Sequence, residues 1–188
     1  MNVYDFDNTI YDGESGIDFF FFLMKKKPSL IKYIPKVTIC FIKYKLHRIT
    51  IQTAHDKYAD AVEKAIRNFD NFQEEICKFW DRNMHKIKPN FAERIKDNDL
   101  ILSASPEATI REVCERLNIK NYIGSKIDLE TGKIHFICYR ENKVSAFREM
   151  YPDTVIENFY TDSMNDKPLI DIANHAFLVK KNKILQLK

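Results

Sequence analysis

A chain of 188 residues, 45% hydrophobic and 13% aromatic, is long enough for one substantial core with a smaller attached unit, and too apolar to stay disordered. A net charge of +3, without any motif that interleaves aromatic and basic residues, excludes nucleic acid as the expected partner. Cys40, Cys77, Cys114 and Cys138 are widely spread and lack zinc-type spacing to any histidine, so they read as reduced, packed thiols of a cytoplasmic protein.

The first predicted element is a short apolar strand that runs into Tyr4-Asp5-Phe6-Asp7-Asn8-Thr9. Side chains alternate along an extended segment, so Asp5 and Asp7 share a face while Phe6 turns toward the core. Two carboxylates so close repel unless a cation sits between them. Hard oxygen donors suit magnesium, which also neutralises an approaching phosphate. The strand starts essentially at Met1, which leaves no room for a signal peptide and predicts an intracellular location. Residues 15–89 then read as helical, with candidate helices at 16–26, 29–46, 50–66 and 70–87 that would form a cap inserted over the carboxylates. In the last of these, Phe72, Ile76, Phe79, Trp80 and Ile87 make an apolar face expected in the core.

Past Pro89 the pattern alternates strand and helix. Asp99-Leu100-Ile101-Leu102-Ser103-Ala104-Ser105-Pro106-Glu107 reads as a strand closing on Ser103, then a helix with Ser105 as its cap and Pro106 as its first residue. A hydroxyl at the carboxyl end of a strand, beside helix-start amides, is suited to hold a phosphate. Gly124 and Gly132 mark turns around a hairpin of Lys126-Ile127-Asp128-Leu129 and Lys133-Ile134-His135-Phe136. Asn142-Lys143-Val144-Ser145-Ala146-Phe147 opens another helix, with Lys143 as a candidate phosphate clamp. The β-prone run Asn158-Phe159-Tyr160-Thr161 ends in Asp162 and Asp166, ahead of an aliphatic helix whose N-terminus Asp166 also favours. The predicted fold is α/β: a Rossmann-like parallel sheet built from residues 1–14 and 90–188, interrupted once by a helical cap at 15–89. Its ligand site lies at the strands' carboxyl ends, and the segments 10–16 and 88–90 are expected to act as the hinge.

The ordered set Asp5/Asp7, Ser103, Lys143 and Asp162/Asp166 resembles the haloacid dehalogenase superfamily of phosphohydrolases, and most closely its phosphoserine-phosphatase-like branch. The resemblance implies that Asp5 is the nucleophile of an aspartyl-phosphate, and that Asp7 protonates the leaving oxygen and then activates water. It also implies Mg2+ held by Asp5, the Asp7 carbonyl and Asp162, with Asp166 in support. Ser103 and Lys143, with the backbone amides of Phe6 and Ala104, would hold the phosphoryl oxygens, and Thr9 would brace the first loop. Two positions depart from the family pattern, Asn8 and Thr161, each standing where a glycine is usual. Asparagine tolerates a positive φ and a β-branched threonine does not, which predicts a differently shaped last loop.

Residues 17–45 are apolar and basic at once, from Ile17-Asp18-Phe19-Phe20-Phe21-Phe22-Leu23-Met24 through Lys25-Lys26-Lys27-Pro28 and beyond. Lysines recur too often for the segment to span a bilayer. Either it lies on an anionic membrane, or its apolar side chains build the cap interior while the lysines face water. With Asp162-Ser163-x-x-Asp166-x-Pro168-Leu169, His175 and Val179, the chain looks similar to bacterial phosphatidylglycerophosphate phosphatases of this superfamily, which implies a lipid phosphate and peripheral contact at the inner face of the membrane. Glu14 points elsewhere: it stands where soluble phosphoserine phosphatases place a glutamate that meets the substrate amine. No cap arginine matches their carboxylate partner, Arg48 lying in a different local context. The expectation is therefore a Mg2+-dependent phosphatase acting on a small soluble phosphomonoester or a phospholipid head-group phosphate. Phosphoserine phosphatase, a phosphotransferase, and a catalytically silent phosphate-binding or membrane-docking module are the alternatives.

Overall fold

The computed structural model describes residues 1–33 and 66–188 together with positions 39, 63 and 64. Among the described residues seven strands, β1 (Asn2–Tyr4), β2 (Leu100–Pro106), β3 (Asn121–Ile127), β4 (Ile134–Phe136), β5 (Asn158–Thr161), β6 (His175–Lys180) and β7 (Lys183–Gln186), form one sheet in the order β4-β3-β2-β1-β5-β6-β7. The inner strands β3, β2, β1, β5 and β6 are parallel, while β4 and β7 pair antiparallel at the edges. The expected parallel sheet is thus mixed, because a hairpin closes each edge. The β6–β7 turn is made by Lys181 at φ 55°, and the β3–β4 connection carries Gly132 at φ 77°. Gly124, expected at a turn, lies inside β3, where a Cβ would sit 2.5 Å from the Glu107 Cα. There the missing side chain allows β3 to approach the helix that follows β2.

The helices described are α1 (Ser15–Lys26), α2 (Phe72–Asn83), α3 (Pro89–Ala92), α4 (Glu107–Arg116), α5 (Glu141–Met150) and α6 (Lys167–Ile172). Strand alternation sends side chains to two cores. Val3, Leu100, Leu102 and Phe159 pack with Phe147 of α5 and Leu169 of α6, while Tyr4, Ile101 and Tyr160 face Ile110 and Val113 of α4. Apolar residues on both faces are the mark of a sheet covered on both sides.

The second core continues without a break into α1 and α2. Phe19, Phe22 and Leu23 lie at helical spacing and are buried, with the Phe79 ring 5.2 Å from Phe19 and 5.9 Å from Phe22. Asn71 caps α2 by accepting from the Glu74 amide, and the buried Trp80 indole donates to the Thr109 carbonyl at 2.8 Å. The aromatic run of α1 therefore packs mainly inward, although Phe21 is 49% exposed and Lys25, Lys26 and Lys27 face solvent. The expected helix at 29–46 begins as a 3-10 turn, Pro28–Tyr33, and its remainder, the helix at 50–66, Cys40 and Arg48 lie essentially outside the described residues. Among the described residues no helix is long and apolar enough to cross a membrane. Cys77, Cys114 and Cys138 are free, and burial pushes the Cys114 and Cys138 thiols up to about 12.

The chain segments on either side of α1 and α2 are paired with each other. The Asp12 amide donates to the Lys86 carbonyl at 2.8 Å and the Lys88 amide to the Ile10 carbonyl at 2.9 Å, which ties the outgoing segment to the returning one.

Candidate active site

β1 continues its ladder with β5 one residue past its end, the Asp5 amide donating to the Tyr160 carbonyl at 2.8 Å, so Asp5 emerges at the carboxyl end of the central strand. The chain then folds round the Phe6 carbonyl, which accepts from the amides of Thr9, Ile10 and Tyr11. Asn8 holds the left-handed conformation at φ 57°, as its residue type allows, and its carbonyl accepts from the buried Lys88 ammonium at 2.5 Å. This turn brings Asp5 and Asp7 into a cleft of about 190 Å³, together with Glu14, Ala104, Lys143, Asp162 and Asp166. Asn8, Tyr139, Ser163 and Asn165 also line it. No local pattern marked Tyr139, which arrives on the loop before α5, or Asn165, which sits in the 3-10 turn Met164–Asp166.

Lys143 lies in the first turn of α5, below a chain reversal at Arg140 with φ 46°. Its Nζ is 2.8 Å from Asp5 Oδ1 and 2.9 Å from Asp166 Oδ2, and all three side chains are nearly buried. Burial disfavours the ammonium, but the two carboxylates outweigh it and hold the Lys143 pKa above its usual value. Burial raises the pKa of Asp5 well above the ordinary range, with Asp166 and Asp162 adding to the rise and Lys143 opposing it. Asp162 is raised by burial and by Asp166. One ammonium thus faces three carboxylates, a deficit of positive charge that a hard divalent cation would offset.

The donor set fits magnesium. Asp5, Asp7 and Asp162, all oxygen-donor residues, line the cleft. Among the described residues no group of three or more His, Cys, Asp or Glu side chains is placed to hold a metal ion on its own. Mg2+ is commonly held by only one or two carboxylates, with water and phosphate oxygens completing its shell, so a set this small still suits it. Thr161 ends β5 without a positive φ. Its hydroxyl donates to Asp166 Oδ2 at 2.9 Å and accepts from the Ser163 amide at 3.1 Å, and this pins the acid that shares Lys143.

Asp7 is held on both oxygens: Oδ1 accepts from the Ser15 amide at 2.6 Å and Oδ2 from the Ser105 hydroxyl at 2.7 Å. Burial raises its pKa, and these hydrogen bonds oppose the rise. Ser105 is therefore not the cap of α4. Pro106 remains in β2 at φ −55° and ψ 130°, the helix starts at Glu107 without a side-chain cap, and the hydroxyl goes to a carboxylate instead, a charge-assisted bond.

Three predicted site residues lie beneath the cleft rather than on its wall. Ser103 is fully buried and its Oγ accepts from the Ser105 amide at 3.1 Å. The Phe6 ring packs in the core, 5.9 Å from the Trp80 ring, which leaves only its backbone for the site. Thr9 is fully buried, and among the described residues its hydroxyl has no hydrogen-bond partner, so its amide rather than its side chain braces the loop. Glu14 lines the cleft and accepts from Asn8 Nδ2 at 3.0 Å.

Residues 3–171 match the family model of haloacid dehalogenase-like hydrolases, and the chain belongs to that family. Over 98 residues it is 29% identical to a probable phosphatase of Mycobacterium tuberculosis, a match that covers 46% of this chain but only 33% of that relative's length. Among solved structures, it is similar to a protein of unknown function from Bordetella pertussis Tohama I, with a TM-score of 0.77 and 15% identity over 94% of this chain and 87% of that one. It is also similar to a phosphoserine phosphohydrolase-like protein from Francisella tularensis, with a TM-score of 0.60 and 16% identity over 94% and 86% of the two chains. At such identities the structural likeness speaks for the fold alone.

Proposed function

We propose that the chain is a Mg2+-dependent phosphomonoester hydrolase working through an aspartyl-phosphate. The observation that carries this reading is the buried Lys143 ammonium shared between Asp5 and Asp166, with Asp7 in the same cleft. In the first step an Asp5 oxygen attacks phosphorus, the ester P–O bond breaks with its electron pair going to the leaving oxygen, and Asp7 gives that oxygen its proton. Water then attacks the aspartyl-phosphate, its proton passes to Asp7, and the Asp5 carboxylate is released. Lys143 and the Ala104 amide meet the charge on the phosphoryl oxygens, while Ser103 holds the turn that presents them. Asp5, Asp162 and the Asp7 carbonyl, supported by Asp166, would hold the Mg2+, whose charge would neutralise the phosphate. Residues 15–89 act as the cap, and the paired segments around Tyr11 and Ile87 form its hinge.

Two substrate classes remain within this reading. Glu14 on the cleft wall favours a soluble ester that bears an amine, of which phosphoserine is the simplest. Exposed Phe21 and Ile31 near Lys25 and Lys27 favour a lipid phosphate met at an anionic membrane surface on the cytoplasmic side. Phosphate release with Mg2+, measured across soluble phosphomonoesters and phosphatidylglycerophosphate micelles, separates the two. Asp5→Asn is expected to lower turnover on the preferred substrate by at least about a thousandfold while the protein stays folded. Retained turnover in that variant overturns the proposal, and a wild-type chain silent across the panel points to a binding module.

A further inference from the structure

We propose that Ser105 is a positioning residue for the proton-transferring carboxylate of Asp7, fixing which oxygen of that carboxyl group faces the leaving group. The inference rests on the phosphatase reading above and assigns a residue that the reading leaves unused. Ser105 is nearly buried, and its Oγ lies 2.7 Å from Asp7 Oδ2 and 3.1 Å from Ser15 Oγ. The other carboxyl oxygen, Oδ1, takes the Ser15 amide at 2.6 Å. The Asp7 carboxyl plane is therefore clamped from two sides, by a backbone N–H that can only donate and by a hydroxyl that can donate or accept. The amide favours Oδ1 as a bare acceptor, so the transferable proton belongs on Oδ2. There the Ser105 hydroxyl donates to one lone pair of Oδ2 and leaves the other for the proton exchanged with the leaving oxygen. Ser105 does not serve as a cap for α4, which starts without a side-chain cap. An acid misplaced by a fraction of an ångström loses most where the leaving oxygen cannot depart unprotonated.

Leaving-group dependence tests this directly. kcat/KM reports only the steps through phosphoryl transfer to Asp5, so the later water step does not blur it. It is measured with Mg2+ for an alkyl ester, glycerol phosphate or phosphoserine, and for p-nitrophenyl phosphate, whose phenolate departs without a proton. Ser105→Ala is expected to lower the alkyl value by about 10- to 100-fold and to leave the aryl value within about threefold, a fraction of what a general acid contributes. Ser105→Thr, which restores a hydroxyl, should recover most of the alkyl rate. Should Ser105→Ala fail to fold, Ser105→Cys, close in shape and a poor donor, carries the same comparison. Equal losses on both esters, or no loss on the alkyl ester, overturn the inference and leave the phosphatase reading standing. A wild-type chain that hydrolyses neither ester overturns both.

Discussion

Removing the Lys143 ammonium would leave Asp5 and Asp166 buried beside each other without the cation that both contact. Deleting one partner of a buried ion pair costs about 3–5 kcal/mol, so Lys143→Met should lower stability to urea by that order, and added Mg2+ should recover part of the loss. Asp7 carries the opposite sign. Its folded-state pKa is raised, so its contribution to stability is fully present below the unfolded value of about 3.9 and is lost as pH rises through the folded value. At neutral pH the buried charge therefore costs stability. Asp7→Asn can still accept from the Ser15 amide and can donate to Ser105, so it should raise Tm at pH 7, converge with wild type near pH 4, and abolish turnover. A Tm for the variant below wild type at pH 7 would contradict this account of the site.

The α1–α2 pair carries its helical design openly: apolar residues at helical spacing, an Asn71 cap, and Phe79 wedged between Phe19 and Phe22. Phe79→Ala should cost about 3–5 kcal/mol, the range for emptying a buried aromatic site. Trp80 is the chain's single tryptophan and neighbours that site, so its fluorescence reports the change in packing. Much of this level was legible in the sequence, since local periodicity encodes which face is buried. Asp5 and Asp7 were legible for the same reason, strand alternation putting them on one face. Ser105 was not: two rules of local chemistry made it a helix cap, yet its acceptor stands 98 positions away, at a distance no capping pattern can register. The edge strand β7 escaped notice because a short exposed run, with only Leu185 and Ile184 to mark it, has little alternation to read. Lys143 was singled out by its place at a helix start and by the order of the motifs, because the contact that gives it meaning spans 138 positions.

At the scale of the molecule, a cleft built with surplus negative charge should be stabilised by what neutralises it. Mg2+ with inorganic phosphate, at about a hundred times the dissociation constant, would add roughly 2.7 kcal/mol to stability. The shift in Tm should vanish in Asp162→Asn and shrink without the metal; an unchanged shift in that variant would remove Asp162 from the metal set. The central place of β1 has a different consequence, in time rather than in energy. Asn2 meets Asp99 on one side and Asn158 on the other, 97 and 156 positions later in synthesis. At translation rates of 5–20 residues per second, the strand waits roughly 8–30 s for its second neighbour. Val3, Tyr4 and Phe6 spend that interval without the sheet that buries them, a window in which a chaperone has most to protect. Asp5 gains Lys143 and Asp166 only in the same late stage, so an unfinished chain on the ribosome carries Asp5 without the ion pairs that surround it.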